Sequence, residues 1–444
     1  MREHGVPGTE ASWAGNGAAL PSRVDVVVIG GGIAGVCAAL TLVGWGVSVL
    51  LCEKGRIAAE QSSRNWGWVR KQGRDPRELP LMLKAQALWR GYAQAVGVDI
   101  GFREAGCTYL CSTPEELAER EGWLVHARDH GIGSRMLSRA ELQTLLGNRA
   151  GSVSGALYTP DDAQAEPALA VPALARLAAR RGAVVRENTA VRSIDRAAAR
   201  VTGVVTEHGR VACDTVILAG GVWSRPFMEH LGLPLPQLAI RSSVLRTGPA
   251  PEITAGAIGA TGASIRRRLD GGYTIGRTGS AQFEIIPAAF RHLPAFLPVL
   301  RKRWRIVDLG VGKSFFGPLG HHRWDADSPT PFEQTRVLDP RPNEKLLQSV
   351  LASARELYPQ LAAVPAVERW AGMIDVTPDE VPVIDTLTGI PGLVIATGLS
   401  GHGFGLGPGV GLLAAQLATG RDPVVDTRGY RYSRFRPVST ARAA

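Results

Sequence analysis

The sequence predicts an α/β fold, α+β overall, in which a parallel sheet is interrupted by an inserted antiparallel sheet. Residues 24–53 have the pattern of a strand, a glycine-rich turn, a helix and a second strand. Two later apolar runs, 214–219 and 393–398, also end in glycine or other small residues. Between them, residues 235–370 alternate short strand-like runs with turns and helical pieces. Continuous apolar runs are typical of parallel strands that are covered on both faces, so we expect these three strands to end at one sheet edge.

In the first of these units, residues 24–53, three glycines each have a physical reason. Gly30 allows a tight turn after the β-branched strand, Gly32 lets the backbone approach a pyrophosphate, and Gly35 lets the helix pack closely on the strand. The helix N-terminus offers free N–H groups and a partial positive charge to phosphates. Glu53, at the end of the second strand, can accept hydrogen bonds from a ribose diol. The unit therefore predicts a Rossmann-like dinucleotide site rather than an ordinary glycine turn.

Length and composition are those of a globular protein with one or two cores. The chain has 444 residues, 45% of them hydrophobic, and no apolar run is long enough to span a bilayer. Residues 1–21 lack the basic start and apolar core of a signal peptide. We expect these residues to form a disordered tail and the protein to be cytoplasmic.

The formal net charge of +10 is carried almost wholly by arginine, with clusters at 266–268, 301–305 and 428–442. One interpretation is a nucleic-acid-binding surface. The other is a solvated basic surface that attracts anionic substrates. We favour the second interpretation, because no nucleic-acid-binding module accompanies the charge.

The five cysteines show no spacing with histidine that is typical of a metal site, so we expect no metal ion; they are Cys37, Cys52, Cys107, Cys111 and Cys213. Their positions suit packing within helices and strands better than pairing. We expect reduced thiols in a reducing compartment.

Periodicity predicts the remaining elements. Helices are expected at about 33–46, 79–96, 114–130, 138–146, 167–181, 287–303, 343–358 and 410–419. Strands are expected at about 106–111, 183–186, 191–194, 201–207, 210–213, 242–246, 264–269 and 273–276. Residues 399–409, which are rich in glycine, are expected to form a turn before the last helix.

In order along the chain, these motifs resemble the D-amino-acid oxidase, glycine oxidase and sarcosine oxidase superfamily of FAD enzymes. The motifs are 30–35 with Glu53, 62–65, 216–223, 370–372 with 377–379, and 398–408. The resemblance implies a discontinuous FAD-binding domain and a smaller domain whose antiparallel sheet covers the isoalloxazine. Their expected bounds are 22–90, 151–234 and 366–444 for the FAD-binding domain, and 91–150 and 235–365 for the substrate-binding domain.

The resemblance also implies which residues hold FAD. The glycine turn would meet the pyrophosphate, Glu53 the adenosine ribose, the backbone of Val191 the adenine, and the turn at 401–404 the flavin pyrimidine ring. The full implied set is Gly30, Gly32, Ile33, Ala34, Gly35, Glu53, Lys54, Ser62, Ser63, Arg64, Asn65, Val191, Ala219, Gly220, Trp223, Gly372, Gly398, Gly401, His402, Gly403 and Phe404.

One departure from some relatives and one missing motif carry information. Relatives with covalent flavin use a histidine in the segment equivalent to 62–65 or a late cysteine, whereas here Arg64 and Asn65 occupy that segment and no cysteine follows Cys213. We therefore expect non-covalent FAD. A second glycine-rich nucleotide unit is missing, so the organic substrate itself is expected to donate electrons, and O2 or an electron carrier to accept them.

Candidate substrate residues follow the Ser62–Ser63 motif. Arg70 could bind a substrate carboxylate between aromatic walls that include Trp68, or it could be a structural ion-pair residue. The further candidates for substrate binding are Gln72 and Arg277. Arg70 and His402 are the candidates for a catalytic role, and Asp375 and Asp379 are expected to orient a loop rather than to transfer protons.

The resulting functional hypothesis is FAD-dependent oxidation of the C–N bond of an amino acid or secondary amine that carries a carboxylate. Hydride transfer from the carbon would give an imine that water hydrolyses. One alternative is oxidation of a 2-hydroxy acid on the same fold, because hydride leaves an equivalent carbon. Another is a flavoprotein that binds nucleic acid through its arginine surface. The hypothesis is compatible with an oligomer.

Overall fold

A computed structural model describes residues 19–147, 153–279, 281–303, 307–320 and 323–435. The helices are α1 (Ile33–Gly44), α2 (Gln61–Arg64), α3 (Leu79–Ala95), α4 (Pro114–Asp129), α5 (Arg139–Leu146), α6 (Pro167–Arg180), α7 (Ser224–His230), α8 (Pro287–Arg303), α9 (Pro331–Gln334), α10 (Glu344–Leu357) and α11 (Gly403–Thr419). The predicted tail lies almost wholly outside the described residues.

The strands up to residue 218 are β1 (Val26–Ile29), β2 (Val49–Cys52), β3 (Trp68–Val69), β4 (Cys107–Cys111), β5 (Arg135–Met136), β6 (Gly155–Thr159), β7 (Ala163–Gln164), β8 (Val184–Arg186), β9 (Val191–Ala197), β10 (Arg200–Thr206), β11 (Gly209–Ala212) and β12 (Thr215–Leu218). The later strands are β13 (Leu238–Thr247), β14 (Ala257–Gly259), β15 (Ser264–Arg267), β16 (Tyr273–Gly276), β17 (Ala281–Glu284), β18 (Val307–Gly310), β19 (Ala366–Val376), β20 (Val383–Thr386) and β21 (Leu393–Thr397).

The first sheet has the strand order β20-β21-β12-β1-β2-β8 and is parallel except for the β20–β21 pair. Its three adjacent strands β21, β12 and β1 are the three apolar runs of the sequence. Each of them ends at the same edge in a glycine-containing turn, at Gly398, Gly220 and Gly30. The prediction that three strand ends meet at one edge is therefore confirmed.

Helices α1 and α11 pack against each other through glycine. A Cβ added at Gly407 would lie 2.4 Å from Ile33 Cγ1, and one added at Gly411 would lie 2.5 Å from the backbone nitrogen of Ala38. The predicted turn over 399–409 is thus wrong in its second half, because α11 begins at Gly403. The glycines give this helix a flat face for close packing, and a face without side chains leaves no apolar periodicity in the sequence.

The second sheet contains most of the inserted strands. Its order is β18-β17-β13-β16-β15-β14-β4-β6-β5, and β19 pairs with β13 over ten residue pairs. Most of its pairs are antiparallel, as predicted, but β14–β4 and β17–β18 are parallel. Strands β6 and β19 belong to this sheet, although the predicted boundaries assign their residues to the FAD-binding domain. The division into two domains stays a prediction.

Two further features bear on function. All five cysteines are buried free thiols. Within the described ranges, no helix is both long enough and apolar enough to cross a bilayer.

Candidate active site

A cavity lies at the edge where β1, β12 and β21 end. The turns after these strands line it, together with the segment that contains α2 and the start of α11. Its walls therefore come from parts of the chain that are far apart in sequence. The predicted residues among its lining are Gly30, Gly32, Ile33, Ala34, Glu53, Lys54, Ser62, Asn65, Val191, Ala219, Gly220, Trp223, Gly401, Gly403 and Phe404.

Glycine is required at the floor of this cavity. Gly30 has a φ of +109°, and a Cβ there would lie 2.4 Å from the carbonyl oxygen of Ala219. A Cβ at Gly35 would lie 2.0 Å from the carbonyl oxygen of Gly30, so Gly35 supports the turn from beneath and does not line the cavity. Each glycine thus permits a backbone approach that no side chain could tolerate.

Glu53 bridges two backbone N–H groups at one end of the cavity. Its Oε2 accepts a hydrogen bond of 2.7 Å from Gly31 N–H, and its Oε1 accepts one of 2.8 Å from Gly55 N–H. Burial raises the pKa of Glu53 above its usual value, and the charge of Lys54 opposes this shift. The carboxylate is therefore held at a fixed position beside the glycine turn.

Ser62 lies at the N-terminus of α1. Its Oγ accepts a hydrogen bond of 2.9 Å from Ile33 N–H, one of the N–H groups that the helix itself leaves free. A Cβ at Gly32 would lie 3.0 Å from the same Oγ atom. Asn65 stabilises the segment, because its Nδ2 donates to the Ser62 carbonyl at 2.9 Å and its Oδ1 accepts from Gly67 N–H at 2.8 Å.

Two residues that line this cavity were not predicted from the sequence, the acid Glu60 and the amide Gln61. Glu60 accepts hydrogen bonds from Lys54 Nζ at 2.7 Å and from Trp223 Nε1 at 3.0 Å. The Oε1 atom of Gln61 is buried without a hydrogen-bond partner in the described chain, and Gln61 lines the cavity. Their position just before Ser62 was the available signal.

Asp375 fixes the turn that leads into α11. Its buried Oδ2 accepts hydrogen bonds from Gly398 N–H at 2.7 Å and from Leu399 N–H at 3.1 Å. Burial raises the pKa of Asp375, although these two N–H groups lower it. Asp379 instead pairs with Arg77 and Arg434. Both contacts agree with the expectation that these acids orient loops.

Three guanidinium groups, which we call the arginine cluster (Arg70, Arg74 and Arg120), gather around the ring of Tyr109. The Cζ atoms of Arg70 and Arg120 lie 5.2 Å and 4.7 Å from the centre of this ring, and Arg70 Cζ also lies 5.8 Å from the ring of Trp68. Arg70 donates to the Gln72 carbonyl. No carboxylate among the described residues forms an ion pair with Arg70 or Arg120.

Arg74 is the buried member of the arginine cluster. Its Nε donates to the Arg70 carbonyl at 3.3 Å, whereas one terminal nitrogen is buried without any partner in the described structure. Burial, followed by the charge of Arg70, lowers the pKa of Arg74 to about 10. The cluster therefore concentrates positive charge that the surrounding side chains do not fully neutralise.

His402 connects the arginine cluster with the start of α11. Its Nδ1 lies 3.0 Å from Oε2 of Glu78, a side chain that is completely buried. Burial and the charge of Arg74 lower the pKa of His402, which favours the neutral imidazole. With Nδ1 donating to the carboxylate, the Nε2 atom carries the free lone pair. His402 itself does not line the cavity, but its neighbours Gly401 and Gly403 do.

A family model described as DAO, FAD dependent oxidoreductase, matches residues 25–417. The chain belongs to this family. It is therefore an FAD-dependent oxidoreductase, as the motifs predicted, and FAD is its cofactor. The glycine turn and the start of α1, which both line the cavity, fit such a group.

Several DAO-family members are similar to this chain. The L-amino acid deaminase from Proteus myxofaciens, solved in complex with anthranilate, is 31% identical, with a TM-score of 0.90 and coverage of 94% of this chain and 95% of that protein. Glycine oxidase from Pseudomonas aeruginosa is 26% identical over 91% of this chain and 97% of its own length. The 4-methylaminobutanoate oxidase (formaldehyde-forming) from Paenarthrobacter nicotinovorans is 27% identical over 94% of this chain, which spans 46% of that relative's length. These relatives act on amino acids and secondary amines.

Several predicted FAD residues lie behind the cavity wall of this DAO-family member. Ser63 donates to the Glu60 carbonyl at 3.3 Å, and Arg64 donates to the carbonyls of Ala59 and Ala371. A Cβ at Gly372 would lie 2.1 Å from Gln61 Oε1, so this glycine leaves room for the amide. Gly398 has a φ of +71° and shapes the turn without lining the cavity.

The structure separates Gln72 and Arg277 from the positions that were predicted for them. The buried amide of Gln72 donates to Thr159 Oγ1 at 2.9 Å and to the Leu157 carbonyl at 3.1 Å, so it fastens its segment to β6. Arg277 donates to Ser349 Oγ of α10 at 3.1 Å. It therefore lies on the side of the second sheet that α10 covers, whereas Gly276 contacts the ring of Trp66 on the other side. This placement does not agree with the predicted contact between Arg277 and the substrate.

Proposed function

We propose that this DAO-family enzyme oxidises the C–N bond of an amino acid or secondary amine that carries a carboxylate, giving an imine that water hydrolyses. The observation that supports the proposal is the arginine cluster beside the start of α11. The similarity to a glycine oxidase and to L-amino acid deaminases supports the same class of substrate.

The arginine cluster has the chemistry of a carboxylate site. The NH1 atoms of Arg70 and Arg120 lie 3.3 Å and 3.4 Å from one point, the position that a Cβ on Gly73 would take. Two guanidinium groups so close together repel each other unless an anion lies between them. Arginine binds carboxylates in a fork of two parallel hydrogen bonds, and the rings of Trp68 and Tyr109 would shield such a pair from water. We infer that Arg70 and Arg120 hold the substrate carboxylate.

The same region supplies a group that can take up a proton. Amine oxidation by hydride loss requires the neutral amine, so the substrate ammonium must first give up a proton. The lowered pKa of His402 favours its neutral form, and its bond to Glu78 leaves Nε2 as the accepting atom. We infer that Nε2 accepts this proton and that the Glu78 carboxylate stabilises the resulting imidazolium. FAD, when bound, supplies the two-electron acceptor.

The start of α11 would complete the electrostatics. Its first residues, Gly403 and Phe404, line the cavity, so the free N–H groups and the positive end of the helix dipole lie at that wall. Negative charge that develops there during the reaction is stabilised by both.

An anaerobic substrate screen tests the proposal. The FAD-loaded protein is mixed with amino acids, N-methylated amino acids, 2-hydroxy acids of matched side chain, and amines without a carboxylate, and the flavin absorption band is followed. We expect amino acids or secondary amines with a carboxylate to bleach the band, and carboxylate-free analogues to bleach it far more slowly. Bleaching by 2-hydroxy acids alone would establish the alternative reaction.

The electron acceptor is a separate question with its own measurement. After anaerobic reduction, the protein is mixed either with O2 or with an artificial electron acceptor, and the rate of flavin reoxidation is compared. Fast reoxidation by O2 is expected for an oxidase, and fast reoxidation only by the artificial acceptor for a dehydrogenase. We also propose a cytoplasmic location, which the five free thiols support.

A further inference from the structure

Helix α8 presents an apolar face to solvent. Five exposed apolar residues, which we call the α8 stripe, follow one another at the spacing of a single helix face: Phe290, Leu293, Pro294, Leu297 and Pro298. The side chains of Phe290, Leu293 and Leu297 are 63%, 44% and 38% exposed. A surface helix of a globular protein normally turns polar residues to this side.

The opposite face of α8 is already packed, so the helix cannot roll to bury the stripe. Ala288 and Phe296 are buried in one cluster with Leu238 and Ile286. His292 Nε2 lies 3.1 Å from Glu229 Oε1. The stripe is therefore a lasting feature of the folded protein rather than a loosely docked segment. Exposed apolar patches of this kind mark sites of interaction.

The charged side chains of α8 are all basic. The helix contains no Asp or Glu, and its C-terminal end carries Arg301 and Lys302. Both are exposed, and neither forms an ion pair within the residues that the structure describes. Arg291, by contrast, is paired with Glu229 at 3.0 Å. An apolar stripe that ends in exposed cations complements a surface that is apolar beneath a negatively charged layer.

More apolar surface is exposed in the segment that returns to the start of α8. A Cβ at Gly320 would lie 3.9 Å from Cδ of Pro287, the first residue of the helix. In the chain leading to that contact, Val311 and Phe316 are 82% and 84% exposed. The apolar surface is thus not confined to one helix.

We propose that the α8 stripe binds the surface of an anionic lipid bilayer. The helix lies in the plane of the interface, the side chains of Phe290, Leu293 and Leu297 enter the acyl region, and Arg301 and Lys302 contact lipid phosphates. Amphipathic helices bind in this way without crossing the bilayer. A second copy of the chain is the less suitable occupant, because its α8 would offer no carboxylate to these cations.

Co-sedimentation of the FAD-loaded full-length protein with lipid vesicles tests the proposal. One set of vesicles is phosphatidylcholine, and the other is phosphatidylcholine with phosphatidylglycerol. We expect binding to the anionic set that weakens with added salt. The variant Phe290→Ser/Leu293→Ser/Leu297→Ser should bind roughly tenfold or more weakly. The variant Arg301→Gln/Lys302→Gln should lose about tenfold in binding to anionic vesicles only.

A matched control replaces three exposed apolar residues elsewhere, as Val98→Ser/Val125→Ser/Val367→Ser, and should bind like the wild type. Flavin content and turnover should be equal in all variants, which shows that each is folded. Absence of wild-type binding to anionic vesicles would overturn the proposal, and so would equal loss in the control. It would also be overturned by a stripe-dependent dimer in light scattering, which would make the stripe a contact between copies.

Discussion

Replacing Arg70 by lysine separates the charge of this residue from its geometry. Lysine keeps one positive charge near Trp68 and Tyr109 but loses the planar fork that matches a carboxylate. In the wild type, one terminal nitrogen of Arg70 already donates to the Gln72 carbonyl, so only the remaining donors are free for a substrate. A lysine ammonium cannot satisfy that carbonyl and also form two parallel bonds to a carboxylate. The variant should therefore lose one charge-assisted hydrogen bond to the substrate.

The size of the effect follows from that bond. A hydrogen bond to a charged group contributes about 1.5–3 kcal/mol, which corresponds to a rise in KM of about ten- to a hundredfold. We expect kcat to change much less, because the carboxylate is bound equally in the ground state and in the transition state. KM, kcat and flavin content should be measured on one preparation, once the substrate screen has supplied a substrate.

Two further variants make the test sharper. The control variant Arg128→Lys replaces an exposed residue of α4, the helix that also carries Arg120, and it should leave KM unchanged. Arg120→Gln should also raise KM, and its combination with Arg70→Lys should give less than the product of the two effects, since both groups would bind one anion. An unchanged KM in Arg70→Lys, accompanied by a lower Tm or flavin content, would refute the carboxylate site and identify a structural role.

Three other expectations can be measured without a known substrate. Acid precipitation should release the flavin into the supernatant, because no covalent anchor is evident in the sequence; yellow colour that stays with the pellet would contradict this. Glu53→Arg should weaken FAD binding by about tenfold or more, since one buried charge-assisted hydrogen bond contributes about 1.5–3 kcal/mol, and unchanged affinity in a flavin titration would place Glu53 away from the ribose. Glu166 forms a buried two-bond ion pair with Arg266 at 2.9 Å and 3.0 Å. Although burial raises it, the charge of Arg266 lowers the pKa of Glu166 to about 2 from its ordinary value of 4.5. The pair therefore adds stability at pH values above about 4.5 that is lost as the pH falls towards 2. Glu166→Gln should destabilise the protein by about 3–5 kcal/mol at neutral pH. In urea unfolding at different pH values, the free energy of unfolding of this variant should fall less on acidification than that of the wild type. An equal fall in both proteins would exclude Glu166 as the cause of the acid destabilisation.

The sequence predicted those parts of the fold that local pattern determines. The unit from β1 to β2 lies where the apolar runs and glycines placed it, and the three glycine-ended strands are neighbours in one sheet. These features depend on short-range rules of strand, turn and helix. The start of α11 was misplaced, because Gly405 and Gly407 are buried by packing against distant segments, which no local pattern reveals.

Side-chain placement in the site depended on long-range contacts and was less predictable. No local pattern assigns a partner to Glu60, yet its carboxylate accepts a hydrogen bond from Trp223, which lies 163 positions away. Arg120 approaches Tyr109 from a separate helix. Arg277 directly follows β16, and the side chains of successive residues in a strand point to opposite faces of the sheet. A shift of one position along the chain therefore decides whether the side chain meets α10 or the pocket.

The meeting of β1, β12 and β21 at one edge has a consequence for biosynthesis. The cavity is lined by residues near position 30, by residues near 220 and by residues near 403. A nascent chain that has not yet reached α11 lacks the last of these three groups of residues and the helix that packs on α1. Stable flavin loading is therefore expected only after nearly the whole polypeptide has left the ribosome. Flavin content would then report on completed folding of the whole chain rather than of its N-terminal part.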